Sequence, residues 1–341
     1  MSDRSSDRAS EEAPAGNGAR GGISAAEPII HQAAAPNSLR ADELRIRPGP
    51  DDGSVSVDPD RASWRYLSFR AVMLAAGETV DAGIYGQEAV VVVIGGGGVQ
   101  IDIAGHRSIP LPGRSGPFDA LPWAAYLPPD VPGRVVGQPS AARGDARVLV
   151  AIAEAPRAKM DRGASEPALI GPDDVEVEVR GAGNATRQIN KIVQPGFAAD
   201  RLEVVEVLTP SGNWSSWPPH KHDTDSWPDE AVLEEIYFYQ FRQPEAWGLQ
   251  RLYRPDRSRD DLWAVGHGDL VLVTDGYHPF AAAHGWDAYY LNALAGDRRT
   301  MACSYDPDLD WTRTAWADME PDPRVPLVRP SARTSLERPA R

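Results

Sequence analysis

Residues 89–105 read AVVVVIGGGGVQIDIAG, and the reading of the glycines at their centre decides between two fold classes. A strand that runs into clustered glycines opens a dinucleotide-binding α/β unit when the spacing is G-x-G-x-x-G and a helix follows. Counted from Gly95, the sixth position is Gln100, and the next segment, VQIDI, alternates apolar and polar residues as a strand does. The glycines are therefore expected to form the tight turn of a β-hairpin. The expectation that spreads outward from this point is an all-β chain.

The flanking sequence has the same style. WRYLSFRAVML, ARVLVAIAEA and DVEVEVRG in the first half, and RLEVVEVLTP, EEIYFYQF, WGLQRLYR, DLVLVTDG and DAYYLNALAG in the second, are short, rich in branched residues and separated by Gly, Pro and Asp clusters. Two sets of about six to eight such strands suggest two β-barrel or double-sheet jelly-roll units. The expected organisation is an N-terminal tail over 1–40, a first unit over 41–190, a second over 191–320 and a flexible C-terminal tail over 321–341. The border is placed near GAGNATRQINKIVQPG, residues 181–196, and the tails are read from their Ser, Ala, Gly, Pro and Arg content.

Composition narrows the function. With one cysteine, Cys303, there is no intrachain disulfide and no Cys-rich zinc module, so a bound metal must be held by His, Asp and Glu. A formal charge of −14 speaks against a nucleic-acid partner, which calls for clustered Lys and Arg. It leaves room for an anionic small molecule only where local cations line the pocket. No apolar run is long enough to span a bilayer, and the N-terminal segment lacks the apolar core of a secretory leader, so the chain is expected to be cytoplasmic with no membrane association.

Five of the seven histidines fall in the second half, two of them in PPHKHD, residues 218–223. Side chains alternate along a strand, so His220 and His222 project the same way and can converge on one ion while Lys221 points to the other side. In LEEIYFYQF, Glu235, Tyr237 and Tyr239 share one face and Glu234, Ile236 and Phe238 the other. The hydroxyl-bearing face suits a polar cavity, which selects Glu235 as the carboxylate ligand. His278 follows an Asp-Gly turn in VTDGYHP, a shape that returns a histidine to a barrel interior. Three imidazoles and one carboxylate suit zinc, iron, manganese or nickel with positions left open.

Taken together, TPSGNWSSWPPHKHD, LEEIYFYQF, GLQRLY, GDLVLVTDGYHPFAAAHGWDAYYLNALAG and DPDLDW resemble the 5-deoxy-glucuronate isomerase family of inositol catabolism. That family is related to the ketol-isomerases of uronate breakdown, and its members are two-domain cupins. The match runs from about Ser38 to Trp311, and LPWAAYLPP fits the pattern of the first domain. The resemblance implies a bicupin whose metal ligands are His220, His222, Glu235 and His278, with the segment between His222 and Glu235 inserted as a loop. It implies a divalent ion, zinc first with manganese or iron as alternatives, and a sugar-acid substrate. The implied reaction interconverts 5-deoxy-D-glucuronate and 5-dehydro-2-deoxy-D-gluconate.

Within that frame Tyr237, Tyr239 and Tyr253 are the candidates for moving the proton, and Arg251 and Asn292 for binding substrate. Arg251 is chosen because a guanidinium pairs with a carboxylate in bidentate fashion. The first unit offers only His106 as an imidazole ligand and is expected to hold no metal. A homo-oligomer joined through sheet edges is expected, because exposed edges need cover. The competing readings are a metal-dependent dioxygenase and a non-catalytic cupin that binds sugar acids.

Overall fold

Gln87–Gly95 explains its own unbroken run of valines. In the computed structural model of the chain, Val90, Val92 and Ile94 enter one apolar core and Val91 and Val93 another. A strand covered on both faces has no polar side to present, so its sequence does not alternate. Residues 37–329 are described, apart from 85, 106–107, 141–143, 145 and 159–162. His106 and most of both expected tails lie outside the described residues.

The described chain is all-β apart from short helical turns, and its named strands pair antiparallel. Gln87–Gly95 belongs to a six-stranded sheet ordered Ala168–Ile170, Ala124–Leu127, Gln87–Gly95, Arg147–Pro156, Ser68–Ala75, Val55–Val57. The glycine cluster does not close a hairpin onto this strand, as the sequence suggested. Gly97–Ile103 pairs instead with Ile109–Arg114 and Gly133–Pro139 in a separate four-stranded sheet. The glycines therefore turn the chain from one sheet to the next. Gly96 and Gly97 have φ of +86° and +128°, and a Cβ on Gly96 would lie 2.3 Å from the Arg147 carbonyl oxygen. Only glycine tolerates both the conformation and the approach. As expected from Gln100, a strand and not a helix follows.

A second large sheet has seven strands, ordered Arg45–Ile46, Leu270–Val273, Leu233–Phe241, Ala288–Gly296, Leu202–Thr209, Arg187–Val193, Glu176–Arg180. A four-stranded sheet of Trp214–Ser215, Phe280–Ala282, Trp247–Tyr253 and Asp260–Gly266 accompanies it. The core of the second large sheet repeats the first in pairing order, with Leu270–Val273, Leu233–Phe241, Ala288–Gly296 and Leu202–Thr209 standing where Ala124–Leu127, Gln87–Gly95, Arg147–Pro156 and Ser68–Ala75 stand. No sheet closes on itself among the described residues.

Two carboxylates tie the halves together in matching ways. Glu88, second in its strand, accepts from the backbone N–H groups of Asp200, Arg201 and Leu202 at 2.6–2.7 Å. Glu234, second in its own, accepts from those of Arg65, Tyr66 and Leu67 at 2.6–2.9 Å. Each satisfies the start of a strand in the other half. Beside them Ile236 and Phe238 pack into the shared core, with Phe238 5.8 Å from the ring of Phe69; burial of such a side chain stabilises by about 1.5–3 kcal/mol. Arg114 and Glu206, both fully buried, form an ion pair that Asn190 and Tyr289 complete with hydrogen bonds of 3.0 and 2.9 Å.

The border drawn at 190 runs through the Arg187–Val193 strand, and Arg45–Ile46 and Glu176–Arg180 are also paired into the later sheet. Extended segments carry no signal of which sheet they join, so sequence order misassigned them. The C-terminal segment is bonded beyond residue 321: the side chain of Gln188 donates to the carbonyl of Val328 at 2.8 Å and accepts from its N–H at 3.0 Å, and Val328 is buried. No helix among the described residues is long and apolar enough to cross a membrane.

Candidate metal centre

The strand parity read from LEEIYFYQF is the parity of the structure. Glu235 stands in register with Leu294, and Leu294 with Glu203. One step along, Tyr237, Asn292 and Val205 form the next row, then Tyr239, Tyr290 and Val207. These rows make one face of the seven-stranded sheet. On the other face, Glu234, Ile236 and Phe238 pack toward the first half.

His222 and His278 meet on this face at Glu235. His222 Nε2 is 2.8 Å and His278 Nε2 3.2 Å from Glu235 Oε2, and Asn292 Nδ2 donates to Oε1 at 2.5 Å. Among the described residues these three ligand atoms lie within 4.8 Å of one another, and all three residues are buried. His220 stands beside them with its ring centroid 4.6 Å from that of His278.

The backbone sets the tautomers. The Nδ1 atoms of His220, His222 and His278 face the carbonyl oxygens of Pro218, Leu233 and Gly276 at 3.2, 2.9 and 3.1 Å. A carbonyl only accepts, so each Nδ1 carries its hydrogen and each Nε2 is left to act as a ligand. His278 Nε2 is buried without a hydrogen-bond partner. A buried orphan acceptor is costly, and a cation at this point would satisfy it. The donor set thus fits a divalent transition ion.

Electrostatics agree. Burial, then the neighbouring imidazoles, push His220 well below its ordinary pKa, and burial also lowers His278, so both are neutral. Burial alone would lower His222 and raise Glu235. For Glu235 the pull of His278 and then of His222 outweighs burial and holds it down at about 2, and for His222 the charge of Glu235 outweighs burial and raises it.

Lys221 points away, as expected, and is absorbed by Asp223, Thr224 and Glu230 at 2.7–3.0 Å. Glu230 also accepts from the N–H groups of Asp223 and Thr224 at 2.8 Å each, which orders the start of the loop before Glu235.

A cavity of about 160 Å³ opens beside the cluster, and His220, Glu235, Tyr237 and Asn292 line it. The Tyr237 hydroxyl shares a short hydrogen bond with Ser216, and burial, then the charge of Glu235, raise its pKa well above the ordinary value, so it stays protonated. Tyr239 is buried with its hydroxyl donated to Gln250. Tyr253 gives its hydroxyl to Asp306 at 2.5 Å and lies outside this lining.

Arg251 also lies elsewhere. It pairs with Asp260 at 2.7 Å through both Nε and Nη2 and is about 40% exposed. Along Trp247–Tyr253 the even residues Gly248, Gln250 and Leu252 are buried while Trp247 and Leu249 are exposed, so Arg251 falls on the outer side of the strand, which turns fully inward only at its last residue, Tyr253. The cavity draws its cations instead from Arg180, Arg187 and Lys191, which the sequence reading passed over. Parity would have found Arg187 and Lys191, since 187, 189 and 191 share a face in RQINKIV, but the border at 190 divided that face between the two units.

Comparison with known proteins completes the picture. The sequence profile of the KduI/IolB family matches residues 44–312. The chain belongs to the KduI/IolB family. Among KduI/IolB relatives it is 38% identical over 266 residues to the 5-deoxy-glucuronate isomerase of Geobacillus kaustophilus, covering 77% of this chain and 92% of that protein. It is 34% identical over 259 residues to the 5-deoxy-glucuronate isomerase of Bacillus subtilis, covering 75% and 90%. The crystal structure of an IolB-like protein from Salmonella typhimurium LT2 superposes with a TM-score of 0.72 at 33% identity, covering 79% of this chain and 99% of that one. An oxalate decarboxylase from Lactobacillus farciminis, at 10% identity and a TM-score of 0.53 over 82% and 91%, shares the fold alone.

Proposed function

We propose that this KduI/IolB chain is a metal-dependent aldose–ketose isomerase that interconverts 5-deoxy-D-glucuronate and 5-dehydro-2-deoxy-D-gluconate in myo-inositol catabolism. One observation carries the reading beyond family membership. His222, Glu235 and His278 converge with their Nε2 and carboxylate atoms free of backbone partners, beside a cavity that also presents cations. The repeated pairing order of the two halves supports two jelly-roll cupin units, of which the second carries the metal.

His222, Glu235 and His278 would hold the ion, with His220 as fourth ligand and zinc as the first expectation ahead of manganese or iron. A divalent ion held by these residues would polarise a carbonyl and its neighbouring hydroxyl and so acidify the C–H bond of the hydroxyl-bearing carbon. The isomerisation transfers one proton between adjacent carbons and another between their oxygens, with no external oxidant. Tyr237, protonated and lining the cavity, would donate to an enediol oxygen. Asn292 fixes the orientation of Glu235 through its 2.5 Å hydrogen bond.

Metal analysis coupled to parallel isomerisation and oxygen-uptake assays tests the proposal. Ketose formation proportional to bound metal, with no oxygen consumed, supports it. Oxygen consumption that accompanies turnover would mark a dioxygenase, and binding of the acid without turnover a non-catalytic cupin.

A further inference from the structure

Arg187 is the least compensated cation in the cavity wall. It begins the Arg187–Val193 strand and is 5% exposed. Its guanidinium donates to two carbonyls, Ala185 O at 3.1 Å and Trp217 O at 3.0 Å, and stands 5.9 Å from the Trp316 ring centroid. It makes no ion pair among the described residues.

Its cationic neighbours are already engaged. Arg180, directly opposite in register, forks onto Glu178 at 2.6 and 3.0 Å. Lys191 is held by Glu176 at 2.7 Å and Glu178 at 2.9 Å. Three cations thus share two carboxylates, which leaves one positive charge in excess at this end of the cavity. Burial, then the like charge of Arg180, pull the pKa of Arg187 down to about 10. A buried cation beside a second cation is destabilising unless an anion completes it.

The cavity that Arg187 lines is the one lined by His220, Glu235 and Tyr237. We propose that Arg187, with Arg180 beside it, binds the carboxylate of the sugar-acid substrate and so holds the aldehyde end toward the metal centre. The assignment rests on the isomerase reading and replaces Arg251 in that role. The Arg187 contact with Trp217 O also ties the anion site to the Pro218–Pro219 segment that leads into His220, so charge recognition and the histidine pair share one support.

The test compares metal-loaded wild type, R187Q and R187K on 5-deoxy-D-glucuronate and on 5-deoxy-D-glucose, in which a neutral CH₂OH replaces the carboxylate. Loss of a charged hydrogen-bond pair predicts a KM for the acid raised roughly 10- to 100-fold in R187Q. R187K should fall in between because it keeps charge without the fork. kcat/KM should fall far more on the acid than on the neutral sugar in both variants, with rates normalised to the metal content measured in each. An equal loss on both sugars, or an unchanged KM for the acid, overturns the assignment.

Calorimetric titration with D-glucuronate supplies a readout that needs no turnover. If wild type isomerises neither sugar, the isomerase reading fails, and Arg187 is judged on this arm. Weaker D-glucuronate binding by R187Q supports the anchor, whereas equal binding, or none by wild type, overturns it. Should R187Q not fold, R187K carries the same comparisons with a smaller expected split.

Discussion

Glu203 is a buried carboxylate whose titration is coupled to folding. It lies on the cavity face of Leu202–Thr209, 2% exposed, with Oε1 buried and without a partner. Burial raises its pKa from 4.5 to about 7 against the pull of Arg299, the Thr300 N–H and His222. Because the folded value lies above the unfolded one, the native state binds more protons between these pH values, and this group's contribution is lost as pH rises through 7. The interval of about 2.5 pH units corresponds to about 3 kcal/mol, most of it crossed between pH 5 and pH 8. Glu203→Gln removes the titration and keeps the shape. Urea unfolding of wild type and E203Q in EDTA, which keeps metal loading constant, should show the variant gaining at least about 2 kcal/mol on wild type between pH 5 and pH 8. A stability difference that does not change with pH, or one that moves the other way, would refute the reasoning.

Three further outcomes follow from the same geometry. Arg114→Met strands the buried Glu206 carboxylate and should cost about 3–5 kcal/mol in urea unfolding; Arg114→Met with Glu206→Gln should recover much of that loss. His278→Ala removes a buried ligand at the orphaned Nε2 position, so the purified variant should carry a small fraction of the wild-type metal by elemental analysis, while its far-UV circular dichroism is unchanged. Arg251→Ala breaks a half-exposed pair with Asp260 and a contact over the Tyr253 ring, and should change stability by about 1 kcal/mol or less and KM by less than about twofold in steady-state assays.

The parts of this architecture that depend on side-chain period could be read in advance, and those that depend on long-range pairing could not. Period two selected Glu235 over Glu234 and turned Lys221 away from His220 and His222, and the structure places all of them so. It could not say which parity of WGLQRLY faces inward, because Arg251 and Gln250 are both polar; only the opposing sheet decides that. The glycines after Ile94 announced a turn, but whether a turn folds a strand back or carries it into a second sheet depends on packing, here the closeness of Gly96 to the Arg147 carbonyl. Arg45–Ile46 is too short to declare a partner, and its place beside Leu270–Val273 comes from tertiary pairing. Arg187 was hidden by the same cause, since its strand was divided between two units.

The histidine–glutamate cluster is proposed to support isomerisation of a sugar acid through a bound divalent ion. The most direct measurement is anaerobic conversion of 5-deoxy-D-glucuronate, followed by proton NMR, with metal-stripped protein, the same protein reloaded with zinc or manganese, and reloaded His222→Ala. The 2-deoxy keto acid should appear with the reloaded wild-type protein alone. Equal conversion by the stripped protein, or none by wild type at full metal occupancy, would contradict the proposal.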